Sequence, residues 1–213
     1  MSQLVGQTIQ ALCESPGSHA PIRKAERLPM ISPFMAEKLV IRGASAGLSS
    51  ASYDIRIGHD LELGPNPAAV LYDLIHASSS GLMAIEHTFA TLRDKQPFKA
   101  LAHSLETFAI PKDVVAYVVD KSTYARKFTS AFNTLFDPGF VGVATLELVN
   151  HGSETIHLKR GDPICQIAFH WLDQPTNKPY AGKYQDQPAR AVGARFELGD
   201  GTFTETPPGT YPI

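Results

Sequence analysis

The chain of 213 residues reads as a mainly β protein, a jelly roll or a related distorted barrel with a few short helices and an extended C-terminal arm. Three observations predict this. Short apolar segments alternate with polar residues at period two, and turns rich in Gly, Pro and Asp separate them at short intervals. From residue 173 onward the composition shifts to Pro, Gly, Gln and Lys, with little apolar material to bury. The length favours one domain over residues 1–213, with 1–46 as an N-terminal helical and loop segment and 173–213 as an arm, disordered or draped over a neighbour.

Taken in order, Thr8 to Glu14 offers a short helix, followed by a loop bearing Pro and Gly. Ser32 and Pro33 fit an N-cap and a first-turn proline, so a second short helix carrying Phe34, Leu39 and Val40 is expected, ended by Gly43. Tyr53-Asp54-Ile55-Arg56-Ile57 then alternates as a strand and stops at Gly58. Further strands are expected at Leu61 to Leu63, Lys99 to Thr107, Val114 to Val119, Val143 to Val149, Thr155 to Leu158 and Ile164 to Trp171. Their separators are turn-like, for instance Ile110-Pro111-Lys112-Asp113 and Lys159-Arg160-Gly161-Asp162. Between Asn66 and Gln96 the pattern is weak, and Ala68 to His76 suits one helical insertion.

A formal net charge of −2 gives no electrostatic reason to expect a nucleic acid as partner, whereas a small phosphorylated ligand needs only a local cluster of Lys, Arg and hydroxyls. Cys13 and Cys165 stand far apart, without Cys or His at metal-ligand spacing, and read as reduced thiols, Cys165 as a small buried hydrophobe. No apolar run has the length of a membrane span, and Met1-Ser2-Gln3-Leu4 lacks the order of a secretory signal, so the expected compartment is the cytoplasm.

The chemistry concentrates within thirty residues. Lys121-Ser122-Thr123-Tyr124-Ala125-Arg126 follows an apolar strand directly, so two cations and two hydroxyls emerge at a strand end, where amides and hydroxyls can hold phosphate oxygens. The same hexapeptide also suits a solvated basic turn. Asp137-Pro138-Gly139 makes a good turn whatever the Asp does. In the strand Val143 to Val149, Glu147 shares a face with Val143, Thr145 and Val149; partial desolvation there would raise its pKa toward the range useful for moving protons. An edge strand whose Glu points to water fits the spacing equally. Several chemistries lack their motifs: there is no Pro-Cys-x-x-Cys run for a zinc deaminase, no Gly-x-x-x-x-Gly-Lys and no Gly-x-Ser-x-Gly. His87, His103, His157 and His170 are dispersed and read as strand or core residues.

The hexapeptide, the Thr145-Leu146-Glu147 strand ending in Asn150, Gly161 with Gln166, and Ala181-Gly182-Lys183-Tyr184-Gln185-Asp186-Gln187 closely resemble the dCTP deaminase branch of the dCTP deaminase and dUTPase superfamily. Gly47-Leu48-Ser49-Ser50-Ala51-Ser52-Tyr53-Asp54-Ile55-Arg56 and Ile110-Pro111-Lys112-Asp113 match the same pattern in the same order. The resemblance implies a dUTPase-like distorted barrel, a homotrimer with sites between subunits, and an arm that closes over the nucleotide. It implies deamination of dCTP to dUTP and ammonia without zinc, with Mg²⁺ carried by the triphosphate. By position, Glu147 would be general base and acid, while Ser122 and Arg126 would orient the water and the carboxylate. Lys121, Thr123, Tyr180, Lys183 and Gln187 would bind the triphosphate, and Asp137 the sugar 3′-hydroxyl. Asn133, Thr134 and Gln166 complete the implied substrate contacts, the first two in the loop that reads the base.

The chain departs from the family pattern at Asp120 and Phe128, where Gly is usual, through most of Ser130 to Phe136, and at Pro188-Ala189-Arg190. Two other functions compete. One is hydrolysis of dUTP to dUMP and pyrophosphate, alone or in a bifunctional enzyme, with Asp137 positioning the water; Glu147 favours the deaminase. The other is a trimer that binds nucleotide without turnover, against which Ser122, Arg126 and Glu147 argue together.

Overall fold

The computed structural model describes residues 2–15, 28–77, 97–132, 134–198 and 202–206. Its elements are β1 (Ser2–Gln3), α1 (Gly6–Glu14), β2 (Ile31–Ser32), β3 (Leu39–Ile41), β4 (Ala44–Leu48), β5 (Tyr53–Arg56), β6 (Leu61–Leu63), α2 (Pro67–Ala77), β7 (Lys99–Ala109), β8 (Val114–Asp120), α3 (Ser122–Ala125), β9 (Thr129–Ala131), β10 (Leu135–Phe136), β11 (Val141–Asn150), β12 (Ile156–Leu158), β13 (Pro163–Trp171), β14 (Arg195–Glu197) and β15 (Phe203–Glu205).

The mainly β reading holds. One sheet runs β10-β8-β13-β5-β4-β3 with β1 also on β13, and a second runs β2-β7-β11-β9; every strand pairing is antiparallel. Inward residues of both sheets form one apolar cluster, with Ile55, Val118, Ile167 and Phe169 from the first and Phe108, Ala144, Leu146 and Leu148 from the second. Each of the larger side chains among them contributes roughly 1.5–3 kcal/mol by leaving water. The long strand β7 bends where the sheets meet. Its register with β11 shifts between Val143 and Thr145, and there Ser104 turns to bridge Ile57 of the other sheet. The Ala144 amide, left out of the ladder, donates to Ser104 Oγ at 2.9 Å, and that hydroxyl donates to the Glu106 carbonyl at 2.6 Å.

The helix expected after Ser32 does not form. Leu39–Ile41 is β3, and Arg42-Gly43 is a two-residue hairpin loop with both φ angles positive, 46° and 82°, joining Ile41 to its partner Ala44. Such a loop matches the twist of antiparallel strands, so Gly43 punctuates a hairpin rather than a helix. The arm is likewise more ordered than its composition suggests, because β14 and β15 pair as a hairpin. Helix α2 covers the insertion expected at Ala68 to His76, while His87 lies outside the described residues.

Between the sheets sits a carboxylate that composition did not flag. Glu106 is fully buried; Arg56 donates to it through Nε at 2.6 Å and through its amide at 3.0 Å, and the Tyr53 hydroxyl stands at 3.4 Å. Burial pushes the Glu106 carboxyl upward, opposed by the guanidinium. Arg56→Leu leaves that charge unpaired and should cost about 3–5 kcal/mol of stability at neutral pH. The loss should shrink as acid neutralises Glu106, a dependence that urea unfolding at several pH values reads directly.

Candidate active site

Strand alternation places the central carboxylate. Along β11, Ala144, Leu146 and Leu148 point into the core, while Thr145, Glu147 and Val149 lie half-buried on the opposite face. One Glu147 oxygen, Oε2, is buried and has no hydrogen-bond partner in the single chain. Burial raises its pKa, with a smaller opposing pull from the Thr134 hydroxyl. Of the two readings that the spacing allowed, the partly desolvated carboxyl is the one observed.

The neighbouring loop closes on this residue. Phe132 donates its amide to the Glu147 carbonyl at 3.0 Å, extending the β9–β11 ladder in which Ala131 faces Leu148. The Val118 amide donates to the Thr134 carbonyl at 3.0 Å, and the Thr134 hydroxyl donates to Phe132 O at 3.2 Å. Asn133 lies outside the described residues.

The basic hexapeptide begins as the short helix α3, with Ser122, Thr123 and Arg126 exposed. Arg126 Nη1 donates back to the Ser122 carbonyl at 3.0 Å. Within the described residues of one chain, no hydrogen bond or ion pair joins Ser122 or Arg126 to Glu147. Lys121 differs from the implied role. Its side chain is only 4% exposed, and its ammonium donates to Asp54 Oδ1 at 2.6 Å and to Ser45 Oγ at 3.0 Å. Gln166 Nε2 donates to the same Asp54 oxygen at 3.0 Å. A buried carboxylate therefore holds both Lys121 and Gln166, and the turn that begins at Lys121 stands on this polar knot. Asp54 was visible in sequence as part of the Tyr53 strand, but nothing there signalled that it points inward to a lysine 67 residues away.

The arm docks along the start of β11. Tyr180 donates its amide to the Pro138 carbonyl at 2.8 Å, beside the exposed Asp137. Gln185 accepts from the Val141 amide at 3.1 Å and donates to the Gly139 carbonyl at 3.0 Å. Gln187 forms a bridge with Gly142, whose φ of +148° and closeness leave no room for a side chain: an added Cβ would lie 2.6 Å from the Gln187 nitrogen. The Thr145 hydroxyl donates to Gln187 Oε1 at 2.8 Å and accepts the Val192 amide at 3.1 Å. Gln187 is thus tied to the β11 face that carries Glu147, two positions along. Lys183 lies half-buried with its ammonium 5.5 Å from the Tyr184 ring centre. Thr145 on the Glu147 face and Gln185 in the arm motif were both visible in sequence, but nothing there gave either a role. Among the described residues, no group of three or more His, Cys, Asp or Glu is placed to hold a metal.

A family model described as dCTP deaminase-like matches residues 31–172. The chain belongs to the dCTP deaminase-like family. A dCTP deaminase of Acidobacterium capsulatum is 35% identical over 170 residues, covering 78% of this chain and 91% of that protein. One of Campylobacter fetus subsp. fetus is 34% identical over 161 residues, covering 74% and 86%. Among solved structures, native EIAV dUTPase aligns over 63% of this chain and 87% of its own, with 13% identity and a TM-score of 0.40.

In this dCTP deaminase-like chain the family match ends at residue 172, before Tyr180, Lys183 and Gln187, so their placement rests on the arm's own contacts. The Thr145 hydroxyl makes two of those contacts at once, donating to Gln187 Oε1 and accepting from the Val192 amide. Thr145→Val should release both, at about 0.5–1.5 kcal/mol each, and speed amide exchange across residues 186–192 while leaving the core amides of β7 unchanged.

Proposed function

We propose that this chain deaminates dCTP to dUTP and ammonia, a hydrolysis of the cyclic amidine C–N bond, working in the cytoplasm as a homotrimer. The observation that carries the reading is Glu147: a carboxyl with raised pKa and a buried unpartnered oxygen, beside a hydroxyl-bearing loop. Ionised Glu147 would accept a proton from water as the oxygen bonds to C4 of cytosine, then deliver it to N3. Glu147 would then take the proton of the new C4 hydroxyl and pass it to the exocyclic nitrogen, so the C–N bond breaks, ammonia leaves and a carbonyl remains at C4. Thr123, Tyr180, Lys183 and Gln187 would hold the triphosphate with the Mg²⁺ it carries, Asp137 the sugar, Thr134 and Asn133 the base. Lys121 and Gln166, bonded to Asp54, would support the turn from beneath.

Two features support the trimer. Ser122 and Arg126, whose side chains are exposed, make no bond to Glu147 within one chain, so a second copy would supply them. Tyr117, Val119 and Leu135 expose an apolar patch on β8 and β10, suited to burial against another subunit. A second reading, hydrolysis of dUTP, is favoured by the exposed Asp137 below the docked Tyr180.

A panel of deoxynucleoside triphosphates assayed for both ammonia and pyrophosphate tests these readings. Ammonia from dCTP is expected; pyrophosphate from dUTP without ammonia from dCTP would sink the deaminase. Glu147→Gln should lower kcat by about a hundredfold or more with nucleotide affinity nearly intact. Binding without turnover in the wild type, indifferent to that change, would instead indicate a sensor.

The pH dependence follows from Glu147. Its folded pKa is raised, so the acid limb of kcat/KM should lie above the ordinary glutamate range, and Thr134→Val should move it higher still by removing a nearby hydroxyl that favours the charged form. For stability the sign is opposite to that of a paired carboxylate. The protonated form favours folding below the unfolded pKa, and this advantage is lost as pH rises through the folded value. Glu147→Gln should therefore melt higher than the wild type at neutral pH, and the difference should vanish in acid.

A further inference from the structure

Asp120 stands at the end of β8, opposite Cys165 of β13, in the position where the resembling motif usually has glycine. A charge immediately before a phosphate-binding turn looks ill placed, yet the side chain turns away from that turn. Its Oδ1 accepts the Ala131 amide at 2.8 Å, and Ser130 Oγ donates to Oδ2 at 2.9 Å, with Oδ1 at 3.2 Å. Those partners lie on β9, the edge strand of the other sheet, paired on one side with β11. The Ala131 amide faces the open edge, and the carboxylate does there what a further strand would do. Bonds to an ionised acceptor are the stronger kind, so this contact outweighs a neutral turn bond.

The strand so held is the one that meets Glu147. Beyond Ala131 the Phe132 amide binds the Glu147 carbonyl, and the Thr134 carbonyl returns to Val118 of β8. Thr129 to Phe132 and Thr134 thus hang between β8 and β11, with Asp120 as their side-chain anchor.

We propose that Asp120 is a positioning residue: by bonding Ser130 and Ala131 it fixes the base-facing loop against β11 and so aligns Phe132 and Thr134 with Glu147. The kinetic consequence rests on the reading of Glu147 as the proton carrier; the structural consequence does not. A glycine at this position supplies no such anchor, so the loop of this chain would be set from β8 rather than by its own turn.

The test uses the full chain with Asp120→Ala, Asp120→Asn and Ser130→Ala. In Asp120→Ala the Ala131 and Phe132 amides should exchange about tenfold faster or more, while amides of β7 and β13 keep their rates. Turnover of dCTP should fall through kcat by a comparable factor, with KM moving much less. Asparagine can still accept from Ala131 and donate to Ser130, so Asp120→Asn should restore exchange and kcat to within about threefold of wild type. Unchanged exchange at Ala131 and Phe132 in a folded Asp120→Ala protein would overturn the proposal, as would an Asn variant as impaired as the Ala one. Should Asp120→Ala fail to fold, Ser130→Ala removes one of the two contacts and should still quicken Ala131 exchange; no change would count against the anchor. If the wild type releases no ammonia from dCTP, the deaminase reading fails, and the exchange data alone decide Asp120.

Discussion

The register of β11 is the constraint on which the rest depends. Its side chains alternate, so a slip by one residue against β7 would turn Glu147 into the core and Leu148 toward solvent. Burial of Ala144, Leu146 and Leu148 against the Phe108 side of β7 forbids that slip, since the apolar face exists in one register only. The shift between Val143 and Thr145 belongs to the same constraint. It lets β7 cross toward Ile57 while the β11 residues beyond it keep their alternation, and the Ser104 hydroxyl satisfies the amide that the crossing frees. Both the site face and the groove for the arm are cut from this strand.

How the fold distributes charge explains why Glu147 differs from its neighbours. Asp54 is met by Lys121, Glu106 by Arg56, and Asp162 by Arg42 at 3.3 Å together with the Lys159 amide at 2.9 Å. Among the described residues Glu147 has a hydroxyl and backbone groups near it, but no cation within ion-pair distance. Each buried pair forgoes hydration and recovers it through a fixed partner. A carboxyl left without such a partner has no fixed cation to stabilise its charge, which is a cost to folding and a property that proton transfer needs.

Much of this was legible in the sequence because its signal is local. Strands at Tyr53, Lys99, Val114, Val143 and Ile164 follow from alternation and turn residues, and the face of Glu147 follows from counting by two. What stayed hidden depends on partners remote along the chain. That Lys121 is held by Asp54 and that Asp120 anchors β9 both depend on partners that only the fold brings together. The lost helix after Ser32 has a different cause: a Gly that ends helices also completes a hairpin loop, and the β-branched Val40 and Ile41 tip the choice toward strands. The order in the arm escaped composition because hydrogen bonds to β11 and ion pairs within the arm hold much of it.

Those ion pairs centre on Glu205, which accepts from Arg190 at 2.9 Å and from Arg195 at 3.1 Å, so its carboxyl is held down to about 2. The site is exposed, and salt screening limits what each contact adds. Arg195 also donates its amide to the Tyr184 hydroxyl at 3.0 Å and its guanidinium to the Lys183 carbonyl, while Arg195 Cζ lies 5.9 Å from the Tyr184 ring centre. The hairpin therefore grips the stretch from Lys183 to Gln187 from one side as β11 grips it from the other. An arm already seated on its own chain has lost much of its freedom before any ligand arrives, so less ordering entropy would be charged to binding. Modest contacts around Glu205 thus matter less for global stability than for how firmly the stretch from Lys183 to Gln187 stays seated along β11.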